Sequence, residues 1–284
     1  MTTVIIPAYN EGQVIAATLQ SLFVSIGARD VDVIVSCNAC RDDTAEIARG
    51  FDPRVQVVES DEPGKCQAIN RAEKLATSFP CIYLDADIRV SPSFIEDLEH
   101  ALDSRQVRAA WPHAEYDLSG CSMGVKAYYR VWTALPYNRP GRIGVGVYAL
   151  NQAARQRFAE FPAIVSDDGF VRGMYRPEER VIVASCHTVV RPPQDLKSLV
   201  AVRTRSRLGV FELRREHPQV LAGHYDHPPR SIAAYLPLLT PARLLSLPVY
   251  AAVVLLSKYR AKQRMQRSGS QHWDRDESAR ASAQ

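Results

Sequence analysis

The sequence predicts an α/β protein: residues 1–225 build a mostly parallel sheet flanked by helices, and residues 226–284 form an apolar and basic helical tail. Three observations predict this. Four short runs rich in Val and Ile alternate with helical patterns between Thr2 and Asp85, as strand–helix–strand crossovers in a parallel sheet require. Polar clusters stand directly after three of those runs, at the carboxyl edge where ligands gather in such sheets. Charge is also split along the chain: residues 1–190 carry 19 Lys and Arg against 24 Asp and Glu, and residues 191–284 carry 16 against 7.

The elements read in order. "TTVIIP" is the first strand, Glu11 to Ile26 a helix, "VDVIVS" the second strand, and Asp42 to Arg49 a helix with Asp42 or Asp43 near its cap. "VQVVES" is the third strand, Lys65 to Ser78 the third helix and "CIYLD" the fourth strand. The pattern then loosens. "AAWPHAEYDL" reads as a strand leaving the sheet, "CSMGVKAYYRVWTAL" as a helix, and "RIGVGVYALN" as a strand whose Gly144 and Gly146 permit close backbone approach. "SDDGFVRGMY" looks like a helix start, with Ser166 at the cap and Asp167 and Asp168 in the first turn. "ERVIVASCHTVVR" is a further strand, and Arg203, Arg205, Arg207, Arg214 and Arg215 decorate the helix after it.

The tail differs in kind. Ile232 to Leu256 is largely apolar but is interrupted by Pro237, Pro241, Arg243 and Pro248. The uninterrupted piece, Leu244 to Ser257, falls short of the ~20 residues that a spanning helix needs. A re-entrant or interfacial segment is one reading, because Lys258, Arg260, Lys262, Arg264 and Arg267 follow as a basic collar suited to anionic headgroups. A C-terminal core hairpin with a solvated basic end is the other. The closing "SGSQHWDRDESARASAQ" reads as mobile.

A hydrophobic content of 46% with 23% charged residues excludes a disordered chain and a multi-span membrane protein. Six cysteines are too sparse for a disulfide framework, and no apolar signal segment precedes Val4, so a cytoplasmic domain with reduced thiols is expected. The pair in "CNAC", Cys37 and Cys40, lacks the second pair that a zinc site requires; it reads as small buried or loop cysteines.

The sharpest chemical signal is the abrupt end of the fourth strand at Asp85 and Asp87. Two carboxylates one residue apart can hold a divalent cation, or divide the work between a cation and a sugar hydroxyl. Oxygen donors point to Mg²⁺ or Mn²⁺, which retain water and share substrate phosphates. Exposed turn aspartates are the plain alternative, and position argues against it: the pair ends the fourth β-α unit, after "VIIPAYNE" and "GKCQAINRA".

In order and spacing, "VIIPAYNE" (Val4 to Glu11), "RDDTAEIA" (Arg41 to Ala48), "GKCQAINRA" (Gly64 to Ala72), "YLDAD" (Tyr83 to Asp87) and "SDDGFV" (Ser166 to Val171) resemble the family 2 glycosyltransferases of GT-A fold. The resemblance covers residues 3 to 215. It implies a Rossmann-like nucleotide-binding domain and inverting, metal-dependent sugar transfer from a nucleotide-sugar to a hydroxyl or phosphate of a glycan or lipid-linked acceptor. Cell-envelope polysaccharide or glycolipid synthesis is the implied setting, with the protein cytoplasmic and peripheral at the inner face of the cell membrane. No nucleic-acid partner is expected. By the same resemblance Pro7, Tyr9 and Glu11 border the nucleotide's base and ribose, and Lys65 lines its pocket. Asp87 contacts the metal, Asp85 the ribose or metal-bound water, and Asp168 is the catalytic base, held ionised by its helix start. Two departures stand out. Asn38 occupies a place near which the family commonly has an acid, and "RTRSR" (Arg203 to Arg207) lacks the Trp of the family's Q/R-x-x-R-W motif. They support one rival, a degenerate binding component. A second rival, a nucleotidyltransferase, would show a Gly-rich loop after the first strand, where only Gly12 stands. His187 reads as structural; Tyr128, Tyr129 and Trp132 read as acceptor-stacking or core aromatics.

Overall fold

Seven consecutive buried residues put the first strand in the middle of a sheet covered on both faces. A computed structural model describes residues 1–138, 146–224 and 231–267. Its strands and helices, in chain order, are β1 (Thr2–Ala8), α1 (Ile15–Ile26), β2 (Val31–Asn38), α2 (Thr44–Phe51), β3 (Val55–Ser60), α3 (Lys65–Glu73), β4 (Cys81–Leu84), β5 (Arg89–Val90), α4 (Phe94–Leu102), β6 (Ala109–Tyr116), α5 (Met123–Trp132), β7 (Val147–Leu150), α6 (Gln152–Arg155), α7 (Asp167–Met174), β8 (Arg180–Val190), α8 (Leu196–Glu216), α9 (Pro218–His224) and α10 (Pro241–Arg267). A 3₁₀ segment, Ile232–Leu239, leads into α10.

The strands lie in the order β3-β2-β1-β4-β7-β6-β8-β5. The first four are mutually parallel. β7 runs antiparallel to both β4 and β6, β8 is parallel to β6, and β5 is antiparallel to β8. The sheet is therefore parallel in its first half and mixed in its second. One expectation is corrected here: β6 does not leave the sheet but lies between β7 and β8. Ala109 to Pro112 are buried on both faces, which a departing strand would not achieve, and the irregularity the sequence suggests is a register shift between Pro112 and His113.

Strand alternation divides the core in two. Val4, Ile6, Val33 and Ile82 face Ile15, Leu19 and Leu22 of α1 and Phe94 and Leu98 of α4. Ile5, Ile34, Tyr83 and Trp111 face Ile69 of α3 and Phe170 and Val171 of α7.

A third cluster joins α5, α8 and α10 through Val125, Tyr128, Tyr129, Leu199, Val200 and Val253. This corrects the hairpin reading of the tail. α10 is one helix with Pro248 inside it, on the exposed side, where only one backbone hydrogen bond is lost and packing against α5 and α8 offsets the cost. The boundary at 225/226, Gly144 and the closing residues from 268 lie outside the described residues.

Candidate active site

The carboxyl ends of β1 and β2 are laced together before any ligand is considered. Asn38, the last residue of β2, donates from Nδ2 to the Ala8 carbonyl at 2.8 Å and accepts the Gly64 N–H on Oδ1 at 3.0 Å. Asn10 and Ala39 both sit in the left-handed region, at φ 51° and 50°, where their loops reverse. Asn10 Oδ1 accepts the Arg41 N–H at 2.6 Å, the Glu11 N–H reaches Thr44 Oγ1 at 2.7 Å, and the Gly12 N–H reaches Asp42 Oδ2 at 3.1 Å. These bonds fix Pro7, Tyr9 and Glu11 along one rim, with Pro7 and Glu11 buried and Tyr9 half-exposed. Asn38 thus braces the rim with both ends of its amide, a task for which a carboxylate, having no N–H, would not serve.

Gly64 then turns the chain into α3 at φ 140°, a conformation that favours glycine. Lys65 is the first residue of that helix. Its ammonium lies 2.7 Å from Asp85 Oδ1 and 2.9 Å from Asp167 Oδ1. The other oxygen of Asp167, Oδ2, accepts the Tyr148 hydroxyl at 3.1 Å. One lysine thereby joins the acids that close β4 to the acids that open α7. Burial pulls the Lys65 ammonium down, but Asp167 and Asp85 together hold it above the ordinary lysine range. Burial lifts the Asp85 carboxyl to about 6 against the pull of Lys65, with Asp167 and Asp87 adding repulsion. Burial, then the Asp167 charge, pushes the Tyr148 phenol well above its usual value.

Asp85 and Asp87 flank the buried Ala86, whose carbonyl accepts the Thr18 hydroxyl at 2.7 Å and so pins the bend to α1. Asp85 turns inward to Lys65; Asp87 is exposed. Gly146, at φ 69°, backs Asp85: its carbonyl accepts the Asp85 N–H at 2.8 Å, and a Cβ in its place would meet Asp85 Oδ2 at 2.9 Å. Among the described residues no three His, Cys, Asp or Glu side chains gather as a metal cage. Two hard carboxylates with space kept open by a glycine nevertheless suit Mg²⁺ or Mn²⁺, which complete their shells with water and substrate phosphate.

Asp168 accepts the Ser166 hydroxyl at 2.9 Å and the Gly169 N–H at 2.7 Å on Oδ1. Burial, then the neighbouring Asp167 charge, raises its pKa despite Lys65 and these hydrogen bonds, a push opposite to that of its helix start.

Sequence reasoning missed what holds this loop. Glu212 of α8 accepts the Val165 N–H at 2.8 Å, and Gly209 of α8 lies so close under Ser166 that a Cβ would meet the Ser166 Cβ at 2.9 Å. The lone glycine within an arginine-rich helix was the available signal. The arginines themselves do not gather at the acids. The Arg203 guanidinium stands 4.7 Å from the ring centre of Trp132, 5.4 Å from Tyr128 and 5.7 Å from Tyr129, and donates to the Tyr129 hydroxyl at 3.1 Å. Arg207 donates to Ser257 of α10 at 2.9 Å. Tyr128 and Tyr129 are therefore core residues enclosing a cation, not an exposed platform.

With this geometry in view, known proteins can be compared. Residues 3–142 match the model of glycosyl transferase family 2. That stretch belongs to glycosyl transferase family 2. The family match takes in Pro7 to Asp87 of the site and ends before Tyr148, Asp167 and Asp168. The chain is 31% identical over 116 residues to the glycosyltransferase AglD of Haloferax volcanii, which covers 38% of this chain and only 19% of that relative. A mannosyltransferase from Pyrobaculum calidifontis, solved with GDP-Man and Mn²⁺, is similar over 93% of this chain and 78% of its own, with a TM-score of 0.59 at 22% identity. Glucosyl-3-phosphoglycerate synthase from Mycobacterium tuberculosis, solved with Mn²⁺, UDP-Glc and glycerol 3-phosphate, is similar over 80% of this chain and 81% of its own, with a TM-score of 0.51 at 20% identity. These likenesses show a GT-A-like α/β fold.

Proposed function

We propose that the protein is an inverting glycosyltransferase that moves a sugar from a nucleoside diphosphate donor to a hydroxyl or phosphate of a glycan or lipid-linked acceptor. One observation carries the reading: Lys65 draws Asp85 and Asp167, from opposite ends of the domain, into a single charged cluster beside Asp168. In this reading the rim of Pro7, Tyr9 and Glu11, braced by Asn38, takes the base and ribose. Asp85 and Asp87 would hold a Mg²⁺ or Mn²⁺ ion, which when bound would supply positive charge to offset that developing on the leaving diphosphate. Asp168 takes the acceptor proton as its oxygen attacks the sugar's anomeric carbon from the face opposite the leaving group. Burial and the Asp167 charge raise its pKa, which makes its carboxylate a better proton acceptor than an ordinary one. Asp167 is the anchor and not the base, because Lys65 and Tyr148 occupy its two oxygens.

The reading extends to location. The inward stripe of α10 is Ser246, Val253, Ser257 and Ala261, mostly small residues, whereas Leu244, Leu245, Leu255, Leu256 and Tyr259 are exposed, Leu245 by 82%. Large apolar side chains outward and small ones inward suit a lipid-facing helix. α10 is long and apolar enough to cross a membrane, but Arg130 and Arg207 donate to its Ser246 and Ser257, which favours a helix lying in the interface over one spanning it. Lys258, Arg260, Lys262 and Arg264, also exposed, face the same medium and suit anionic headgroups at the inner face of a cell membrane, where lipid-linked acceptors of envelope synthesis are found.

The test is turnover of GDP- and UDP-sugars by the full chain with Mn²⁺, compared with Asp168→Asn. The variant should keep its fold and lose on the order of 100-fold or more in kcat, the contribution of a positioned base. Equal rates would overturn the base assignment, and pyrophosphate release from a nucleoside triphosphate would overturn the transferase.

A further inference from the structure

Cys37 and Cys40 have no part in that reaction, yet they stand on its donor rim. Of the six cysteines Cys40 alone is partly exposed; the other five are buried. Cys37, next to last in β2, lies in register with Ala8 of β1. Cys40 returns over the same residue: its thiol lies 3.6 Å from the Ala8 carbonyl, and its sulfur accepts the Asn10 N–H at 3.3 Å. The reversal between them is made at Ala39, held left-handed with its N–H on the Ser60 carbonyl at 2.6 Å. The two cysteines thus adjoin one residue of β1, and Cys40 packs against the core cluster that contains Cys37. An accessible thiol over a buried one is the layout of an attacking and a resolving cysteine.

We propose that Cys37 and Cys40 form a redox-active dithiol, which a small-molecule disulfide of the glutathione class converts to an intramolecular disulfide. The Cys40 thiolate attacks one sulfur of the oxidant, forming a mixed disulfide and releasing one thiolate. Cys37 then attacks Cys40 Sγ; the mixed bond breaks, the Cys37–Cys40 bond forms, and the second small thiol leaves with the Cys37 proton. Two protein thiols are oxidised and one external disulfide is reduced. The thiols differ in the sense this sequence needs. Hydrogen bonding to Cys37 brings Cys40 down to about 7, while the same contact and burial keep the Cys37 thiol well above the usual range, so Cys40 is the thiol that attacks first. The disulfide would remove the Cys40 thiol from Asn10 and so alter the loop of Tyr9 and Glu11; that consequence rests on the donor reading above, whereas the chemistry of the pair does not. The reading of "CNAC" as a buried and a loop cysteine holds, and the proposal adds chemistry to that pair.

The experiment treats the reduced full chain with glutathione disulfide and follows intact mass and peptide maps. The wild type should lose the mass of two hydrogens, keep no glutathione and protect both cysteines from iodoacetamide. Cys37→Ala should instead retain one glutathione on Cys40. A stable glutathione adduct on wild-type Cys40, or two cysteines still open to alkylation, would overturn the proposal. Should Cys37→Ala fail to fold, alkylation of the reduced wild type decides: Cys40 should react roughly 10-fold or more faster than any other cysteine, as the accessible low-pKa thiol, and equal rates would refute it. Absent turnover in the reduced enzyme counts against the transferase alone, and a stable mixed disulfide against the dithiol alone.

Discussion

Replacing Lys65 by Met removes the cation that holds Asp85 and Asp167 together. The Lys65–Asp167 contact, 2.9 Å long with side-chain exposures of 15% and 3%, is the buried half of the network; Asp85 is 33% exposed and can turn to water. At an effective dielectric of ~20, two unit charges at that separation attract by about 5–6 kcal/mol before desolvation is subtracted. Removing one member of a buried pair costs ~3–5 kcal/mol because the survivor is left charged and unpaired. Lys65→Met is therefore expected to lose about 3–4 kcal/mol, at the lower part of that range because protonation of the acids relieves some of the cost. Asp167→Asn keeps an acceptor for the Tyr148 hydroxyl and leaves Lys65 with Asp85, so it should cost only ~1–2 kcal/mol. In the double variant the unpaired charge is gone, and the two losses should fall short of additivity by about 2 kcal/mol. Urea unfolding followed by far-UV circular dichroism measures all four proteins. Losses that add within ~0.5 kcal/mol would mean the lysine and the aspartate do not interact, and the site's central link would be refuted.

Glu179 predicts a pH effect. Hydrogen bonds from Arg157 at 2.7 and 2.8 Å, with the Arg176 N–H at 2.8 Å, lower its pKa from 4.5 to about 2. The folded state binds the proton more weakly than the unfolded state, so this stabilisation is complete above pH 4.5 and is lost as pH falls toward 2. Discounted for solvent screening, Glu179→Gln should cost about 1–2 kcal/mol at neutral pH, and the gap in urea midpoint should close through that acid window; a constant gap would disprove the linkage. On the tail, full-length protein should co-sediment with anionic vesicles and release as salt rises, and Leu245→Glu with Leu255→Glu should weaken binding without unfolding the domain. Binding that ignores both salt and these substitutions would exclude α10 as the contact.

The parallel half of the sheet was legible because Val4–Ile6 and Val33–Val35 are continuous apolar runs, which only a strand covered on both faces requires. The mixed half was not. Whether β7 enters antiparallel beside β4 depends on a register set by tertiary contacts, and Pro112 and His113 broke the one pattern that marked β6 as internal. Asp85, Asp87 and Asp168 could be singled out because their spacing and neighbours form an ordered set. The Lys65–Asp167 link could not, since it is made by side chains that meet only after α3 and α7 pack on one face of the sheet. Reading the tail from its prolines failed for a simpler reason. Pro248 lies on the exposed side, and Ser246, Ser257 and Ala261 are too small or polar to register as an apolar stripe.

That stripe ties the tail to the chemistry by a chain of contacts. The loop carrying Ser166, and through it Asp168, rests on Gly209 and Glu212 of α8. α8 in turn rests on α10, directly through Arg207 and Ser257 and indirectly through the aromatic wall around Arg203, whose Tyr128 stacks on Tyr250 of α10 at 5.3 Å. The guanidinium of Arg203 is shut in among rings with its Nε lacking a hydrogen-bond partner, and the ring faces and the Tyr129 hydroxyl offset part of that desolvation cost. Removing the tail would strip Tyr250 and Val253 from that wall, expose a buried cation and loosen the helix beneath the base. α10 is thus better regarded as a wall of the domain than as a detachable anchor: whatever its leucines touch outside bears, through α8, on the loop that positions Asp168.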